Sequence, residues 1–219
     1  MSAKLWAEIG LGIYETIYMT LASTLLGYVI GLPLGVVLIV TRKSGIRENA
    51  ALNQVLGVIV NILRSIPFLI LMIAIIPFTR FVMGKSYGST ATIVPLTVAA
   101  FPFISRMVES SLSEVDGGVI EAAQAMGATP LQIIRKVYIP EATPSLISGA
   151  AIVATNILGY SAMAGSVGGG GLGAIAINYG YYRFNAQVMV VCIAIMVVLV
   201  QVIQLVGTRL SVKLDHRLR

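Results

Sequence analysis

Residues 121–140 read EAAQAMGATPLQIIRKVYIP, a compact polar stretch in a chain otherwise built from long apolar runs. Its residue order spells two short helices on a tight turn. Glu121 to Met126 is alanine-rich and helix-favouring, with Glu121 expected in an early turn where a negative charge complements the helix dipole. Gly127 is the expected C-terminal cap, because a residue without Cβ adopts positive φ cheaply. Thr129, Pro130 and Gln132 then form a second helix start: a cap oxygen, a proline at the first helical position and a capping-box glutamine three residues on. Arg135 and Lys136 are expected in the last turn, and Pro140 is expected to stop the segment.

Composition sets the environment of this hairpin. Hydrophobic residues make up 57% of the chain and charged residues 11%. Soluble domains carry roughly 25% charged residues, so the chain reads as an all-α, polytopic membrane protein, residues 1–219 forming a single transmembrane domain. The net charge of +6 is dispersed around apolar spans, which fits anionic lipid and topology rather than nucleic acid. The single cysteine, Cys192, lies in an apolar run, so an intrachain disulfide is excluded and a packing role is expected. The N-terminal region shows no charged segment followed by a cleavage site, so the first span is expected to be retained.

About five stretches qualify as spans: 13–40, 52–78, 91–104, 146–167 and 186–206. The first exceeds a bilayer core, so it must tilt, bend near Pro33 or begin as an interfacial helix around Trp6. The third is short and contains Pro95 and Pro102. With the N-terminus outside, Arg42, Lys43, Arg47, Arg106, Arg135, Lys136, Arg209, Lys213, Arg217 and Arg219 are cytoplasmic. Only Lys4, Arg80, Lys85 and Arg183 are then external. The positive-inside rule therefore predicts N-out, C-in, with the 121–140 hairpin in the cytoplasm between spans 3 and 4. Gly27, Gly31 and Gly35 form a ridge along the first span that suits close packing within one subunit.

Residues with chemistry are sparse. His216, the sole histidine, sits in the basic tail, no cluster has metal-ligand spacing, and no GxxxxGK[ST] loop exists, so neither catalysis, metal binding nor ATP hydrolysis is expected of this chain. The acids read as span ends or loops, whereas ion-coupled carriers bury a carboxylate near mid-membrane. Arg64, in the run NILRSIP at 61–67, is the charge placed well inside a span; with Ser65 and Pro67 it reads as holding a kink near a gate. In the fourth span, Tyr160, Ser161 and Met163 are candidate pathway-lining residues. The glycine-dense run at 165–173 cannot be a helix interior and reads as an external loop or re-entrant turn.

The helix–Gly–helix unit closely resembles the EAA loop of bacterial ABC importer permeases, carried here by Glu121, Ala122, Ala123 and Gly127 and a proline further on. Arg-Ser-x-Pro at 64–67 is similar to the second-span motif of amino-acid-type members. Nearly the whole chain resembles the methionine-uptake subgroup: RSIPF at 64–68, IPFTR at 76–80, IVPLTV at 93–98, PFISRMVE at 102–109, IEAAQAMGATPLQIIRKV at 120–137, GYSAMAGSVGGGGLG at 159–173 and YGYYRFN at 179–185.

The resemblance implies a permease of the bacterial cytoplasmic membrane whose coupling loop, about 110–144, docks into a separate ATPase subunit. Glu121, Ala122, Ala123, Gly127, Thr129 and Pro140 would build that contact, and Arg135 or Lys136 would pair with ATPase acids. The implied assembly is a homodimer with two ATPases, which carry the ATP and magnesium, and an external methionine-binding protein or lipoprotein. Methionine, either enantiomer or a derivative, would then cross by alternating access. A permease for another amino acid or a quaternary amine osmolyte, and an ion-coupled secondary amino-acid carrier, are the alternatives.

Overall fold

The computed structural model describes residues 3–215; His216, Arg217 and Arg219 lie outside the described residues. The chain is all-helical among them. α1 (Ala3–Thr41) leads, followed by α2 (Ala50–Ser65), α3 (Phe68–Ala74) and α4 (Ile76–Met83). α5 (Ser89–Ser113) precedes the hairpin helices α6 (Gly117–Ala125) and α7 (Pro130–Ile133). A π-helical turn (Ile134–Tyr138) leads into α8 (Ile139–Ala164); after a glycine-rich loop come α9 (Gly171–Ile175), a second π turn (Ala176–Tyr181) and α10 (Ala186–Leu214). Among the described residues four helices are long and apolar enough to cross a membrane, or five if the bent pair α2–α3 is one span.

α1 and α5 form the centre of the molecule. Gly27, Gly31 and Gly35 are buried along α1. A Cβ on Gly31 would stand 2.8 Å from the Phe101 carbonyl oxygen, and one on Gly35 2.6 Å from that of Ser105. The ridge thus packs within the protomer, and Ile104 and Val108 of α5 fill the grooves beside it. Cys192 is fully buried with Ile9, Leu172, Ala176 and Val188, in the packing role expected of it.

Several expected boundaries are corrected. The 52–78 stretch bends at Pro67, where a kink is expected, but the bend is a full break: α2 and α3 meet at 98° across Ile66 and Pro67. Pro67 has no N–H to give Leu63, and it holds Ile66 extended (φ −80°, ψ 122°). Pro140, by contrast, does not stop its segment. The helix runs from Pro130 to Val167, because the preceding π turn, closed by the Ile139 N–H on the Ile134 carbonyl, widens the backbone ahead of the ring. Arg135 and Lys136 therefore lie in mid-helix.

The third span continues past Ile104 to Ser113 and contains both prolines. Its polar end finds partners: Ser105 donates to the Phe101 carbonyl at 2.7 Å, and Ser145 to Ser111 at 3.1 Å. α1 runs unbroken through Pro33, and α10 extends to Leu214.

Glu15, at the start of the first apolar run and level with the first residue of α5, fastens the glycine-rich loop. Its carboxylate accepts from the Gly171 N–H at 2.7 Å and from the Ser89 hydroxyl at 3.3 Å. The Thr16 hydroxyl accepts from the Leu172 N–H at 2.9 Å. The N-cap of α9, Gly170, has no side chain to cap it, so α1 supplies the cap oxygens from another element. The run 165–173 is a folded turn between two short helical pieces, a 3-10 turn at Gly165–Val167 and the start of α9 at Gly171, so its ends are helical where a loop is expected. Gly168, Gly170 and Gly171 have positive φ, and a Cβ on Gly170 would meet the Glu15 carboxylate at 2.9 Å. Further out, Tyr179 donates to Glu8 at 2.6 Å, and this bond is the main cause that raises the phenol's pKa above its ordinary value.

Two outcomes follow from this packing. Gly35→Leu forces α1 from α5 and lowers the thermal midpoint of the purified protein by the equivalent of roughly 1–3 kcal/mol or more. Gly10→Leu, at a position with nothing within 4 Å of a Cβ, leaves the midpoint unchanged; equal shifts would contradict the packing account. Glu15→Ala leaves the Gly171 N–H unsatisfied at a cost of about 1–3 kcal/mol. Hydrogen exchange in 168–175 then accelerates selectively, while Glu15→Gln, which keeps an acceptor oxygen, retains part of the protection.

Candidate functional site

The hairpin at 117–138 is held by its own backbone. Asp116 caps α6 by accepting from the Gly118 N–H at 2.7 Å. It takes the dipole role expected of Glu121, because the helix begins at Gly117 and leaves Glu121 beyond its first turn. The helix ends as the residue pattern predicts: Gly127 has φ 78°, its N–H donates to the Gln124 carbonyl, and the Ala128 N–H donates to that of Ala123. The next helix starts on the expected capping box. The Thr129 N–H donates to Gln132 Oε1 at 2.8 Å, and the Gln132 N–H to Thr129 Oγ1 at 3.4 Å.

The two faces of the hairpin differ. Ile120, Ala123, Ile133 and Tyr138 are buried against the main core. Glu121, Ala122, Gly127, Thr129, Arg135, Lys136 and Pro140 are exposed. Of the residues expected to meet a partner, Ala123 alone turns inward and anchors the hairpin. Sequence reasoning missed two apolar side chains flanking the turn, Met126 (81% exposed) and Leu131 (62%). Their signal is the MGATPL run itself, where apolar residues stand on either side of a turn that buries neither.

The second candidate site lies where α2 breaks. Arg64 occupies the last turn of α2, exposed, with its guanidinium carbon 5.8 Å from the Phe103 ring centroid. Beside it Phe68 and Tyr160 stack at 4.7 Å with nearly parallel planes. Arg64, Phe68, Phe103 and Tyr160 line one groove of about 200 Å³. Its wall is a single cation set among apolar and aromatic side chains.

The other pathway candidates do not join this groove. The Ser65 hydroxyl turns back to donate to the Asn61 carbonyl at 2.8 Å, and Pro67 sits exposed as the start of α3. Ser161 is 1% exposed and donates to the Leu158 carbonyl, so its hydroxyl is spent inside the protomer. Met163 is 54% exposed, outside the groove.

A residue with no assigned role in the sequence fixes the position of α2. Arg106, on α5, donates to the Gly57 carbonyl and to Asn61 Oδ1, both at 3.0 Å, and to Glu109 at 2.6 Å. This three-way bond ties α2 to α5 one turn ahead of Arg64, so the break at Pro67 starts from a fixed helix.

Comparison with known proteins places this architecture. The family model described as binding-protein-dependent transport system inner membrane component matches residues 16–219. The chain is 54% identical over 154 residues to the D-methionine transport system permease protein MetI of Escherichia coli, covering 70% of this chain and 71% of that one. It is 47% identical to the methionine import system permease protein MetP of Bacillus subtilis, over 96% and 95% of the two chains. Among solved structures, a chain of the MetNI methionine ABC transporter in an inward-facing conformation superposes with a TM-score of 0.97 at 50% identity, over 99% of this chain and 100% of that one. The helical architecture and the sequence agree along almost the whole length: the chain belongs to the family of inner membrane components of binding-protein-dependent transport systems.

Proposed function

We propose that this chain is the membrane-spanning permease subunit of an ATP-driven methionine importer that works by alternating access. One observation carries the reading: the full-length likeness, at 50% identity, to the permease of a methionine ABC transporter. The relatives named for methionine transport in both Escherichia coli and Bacillus subtilis support the substrate.

Two copies of the chain enclose the pathway, and two ATPase subunits, which bind the ATP and magnesium, dock on the hairpins. A binding protein delivers methionine from the outer side. The chain itself supplies no catalytic group. Its part is mechanical: Met126 and Leu131 seat the hairpin tip in an apolar cleft, while Glu121, Ala122, Gly127 and Thr129 approach the ATPase with Arg135 and Lys136 facing its acids. Because the hairpin runs straight into α8 through Pro140, a displacement of the tip is delivered to Tyr160 and the groove around Arg64. ATP and methionine then act by binding one global state better than the other. Arg64 and Tyr160 border the pathway at the break, Ser65 and Pro67 shape that break, Met163 borders the opposite end, and Ser161 supports the helix from within.

This reading fixes two outcomes. Leu131→Asp removes an exposed anchor without altering the backbone, and co-purification of the ATPase falls about tenfold or more. Gly127→Asp, placed at positive φ, leaves the permease in the membrane and uncouples or detaches the ATPase. Normal co-purification together with normal uptake in both variants would remove the hairpin from the docking surface. In proteoliposomes holding the chain with its ATPase and binding protein, ATP-dependent uptake of labelled methionine is expected, competed by unlabelled methionine and not by betaine. An assembled, ATP-hydrolysing complex that takes up no methionine would keep the class and overturn the substrate. Uptake that persists without ATP on an ion gradient would indicate a secondary carrier instead.

A further inference from the structure

Loop 42–49, which joins α1 to α2, is built rather than slack. The Gly45 N–H donates to the Arg42 carbonyl, the Arg47 N–H to that of Val40 and the Asn49 N–H to that of Thr41. Asn53 donates to the Leu38 carbonyl at 2.7 Å. Ser44 takes positive φ, 61°, and its N–H donates to Glu48 at 3.0 Å, so the one acid of the loop is turned onto the backbone. The three cations are left over: among the described residues none of Arg42, Lys43 and Arg47 forms an ion pair.

Beside them opens a groove of about 430 Å³. Arg47 stands on its polar wall with Thr41, Asn49 and Glu48, whose carboxylate is taken up by the Ser44 N–H, and its apolar wall comes from Val36, Val37 and Val40 on the last turns of α1, with Leu52 of α2 and Ile134 of the hairpin's π turn. It therefore lies on the hairpin's side of the membrane, at the depth where an apolar span gives way to a charged loop.

We propose that this groove is a binding site for one anionic phospholipid, its phosphate held by Arg47 on the groove wall, with Arg42 and Lys43 of the same loop adding positive charge, and one acyl chain laid along Val36, Val37 and Leu52. Each half of the site selects. Unpaired cations fixed at the bilayer surface attract an anionic headgroup, worth about fivefold in retention for each Lys or Arg. The apolar wall, continuous with the span, gives no advantage to a free phosphate and leaves water unfavourably placed unless a hydrocarbon covers it. A lipid with its chain along α1 and its head at the loop would brace the joint between α1, α2 and the hairpin.

The test uses the full chain purified in mild detergent and exchanged against phosphatidylglycerol, phosphatidylcholine or glycerol 3-phosphate. Retained ligand is counted by native mass spectrometry. The wild-type chain is expected to keep phosphatidylglycerol in preference to phosphatidylcholine and to hold no glycerol 3-phosphate. The triple variant R42Q/K43Q/R47Q, which leaves every backbone bond of the loop in place, should lose most of that retention. Val37→Trp, which fills the groove and keeps the cations, should lose it too, and serves if the triple variant does not purify. Equal retention of the two lipids, or wild-type retention in either variant, would overturn the proposal. So would displacement of the lipid by glycerol 3-phosphate, which marks a free-phosphate site. Protection of the three cations from modification only when the ATPase is bound would assign them to that protein instead.

Discussion

The close approach of α1 to α5 is the constraint on which the rest of the molecule depends. A membrane protein gains little from separating hydrocarbon from hydrocarbon, so its helices are held by packing and by bonds between polar groups. Three glycines let the α1 backbone approach α5, two of them against its carbonyls, and that contact fixes both ends of the protein. At one end Glu15 and Ser89 close on the glycine loop. At the other, loop 42–49 and Arg106 set the start and the course of α2. The break at Pro67 and the groove beside Arg64 are placed by this frame, not by any strong contact of their own.

Local chemistry was legible in the sequence, and non-local chemistry was not. The hairpin was read correctly at Gly127, Thr129, Pro130 and Gln132 because caps satisfy backbone groups within a few residues, so the pattern carries its own geometry. The all-helical, polytopic class followed from composition for a similar reason. Prolines were harder. Pro67 breaks its helix and Pro140 does not, though each follows an apolar run; the difference is a π turn, and no residue type announces one. The long end of α5 was missed because Ser105, Arg106 and Ser111 look like a helix leaving the membrane, while their partners sit on the same helix, on α2 and on α8. For the same reason Ser161 read as a pathway residue: a hydroxyl in an apolar span is equally at home bonding its own helix.

The two candidate sites share an economy of means. Each places a few exposed side chains on a rigid support and leaves the opposite face buried. In the hairpin, Ala123 and Ile133 hold the inner face while Met126 and Leu131 project. At the break, Phe68 is buried and stacks on Tyr160, so Arg64 stands beside a fixed aromatic wall. The helix from Pro130 to Val167 spans both. Movement at one site reaches the other through a single continuous element, with a π turn as its most deformable point.

The clamp at Glu15 also bears on how the chain is made. Glu15 and Gly171 are 156 positions apart, and a ribosome adding about 5–20 residues per second separates their emergence by roughly 8–30 s. Throughout that interval the Glu15 carboxylate lacks the Gly171 amide that it accepts from in the finished protein. A carboxylate without its protein donors is held best by water, so until α9 is made Glu15 keeps solvent as its main partner. The clamp therefore closes only once α1 through α8 have been made, and α10 is added to a first helix already fastened at that end.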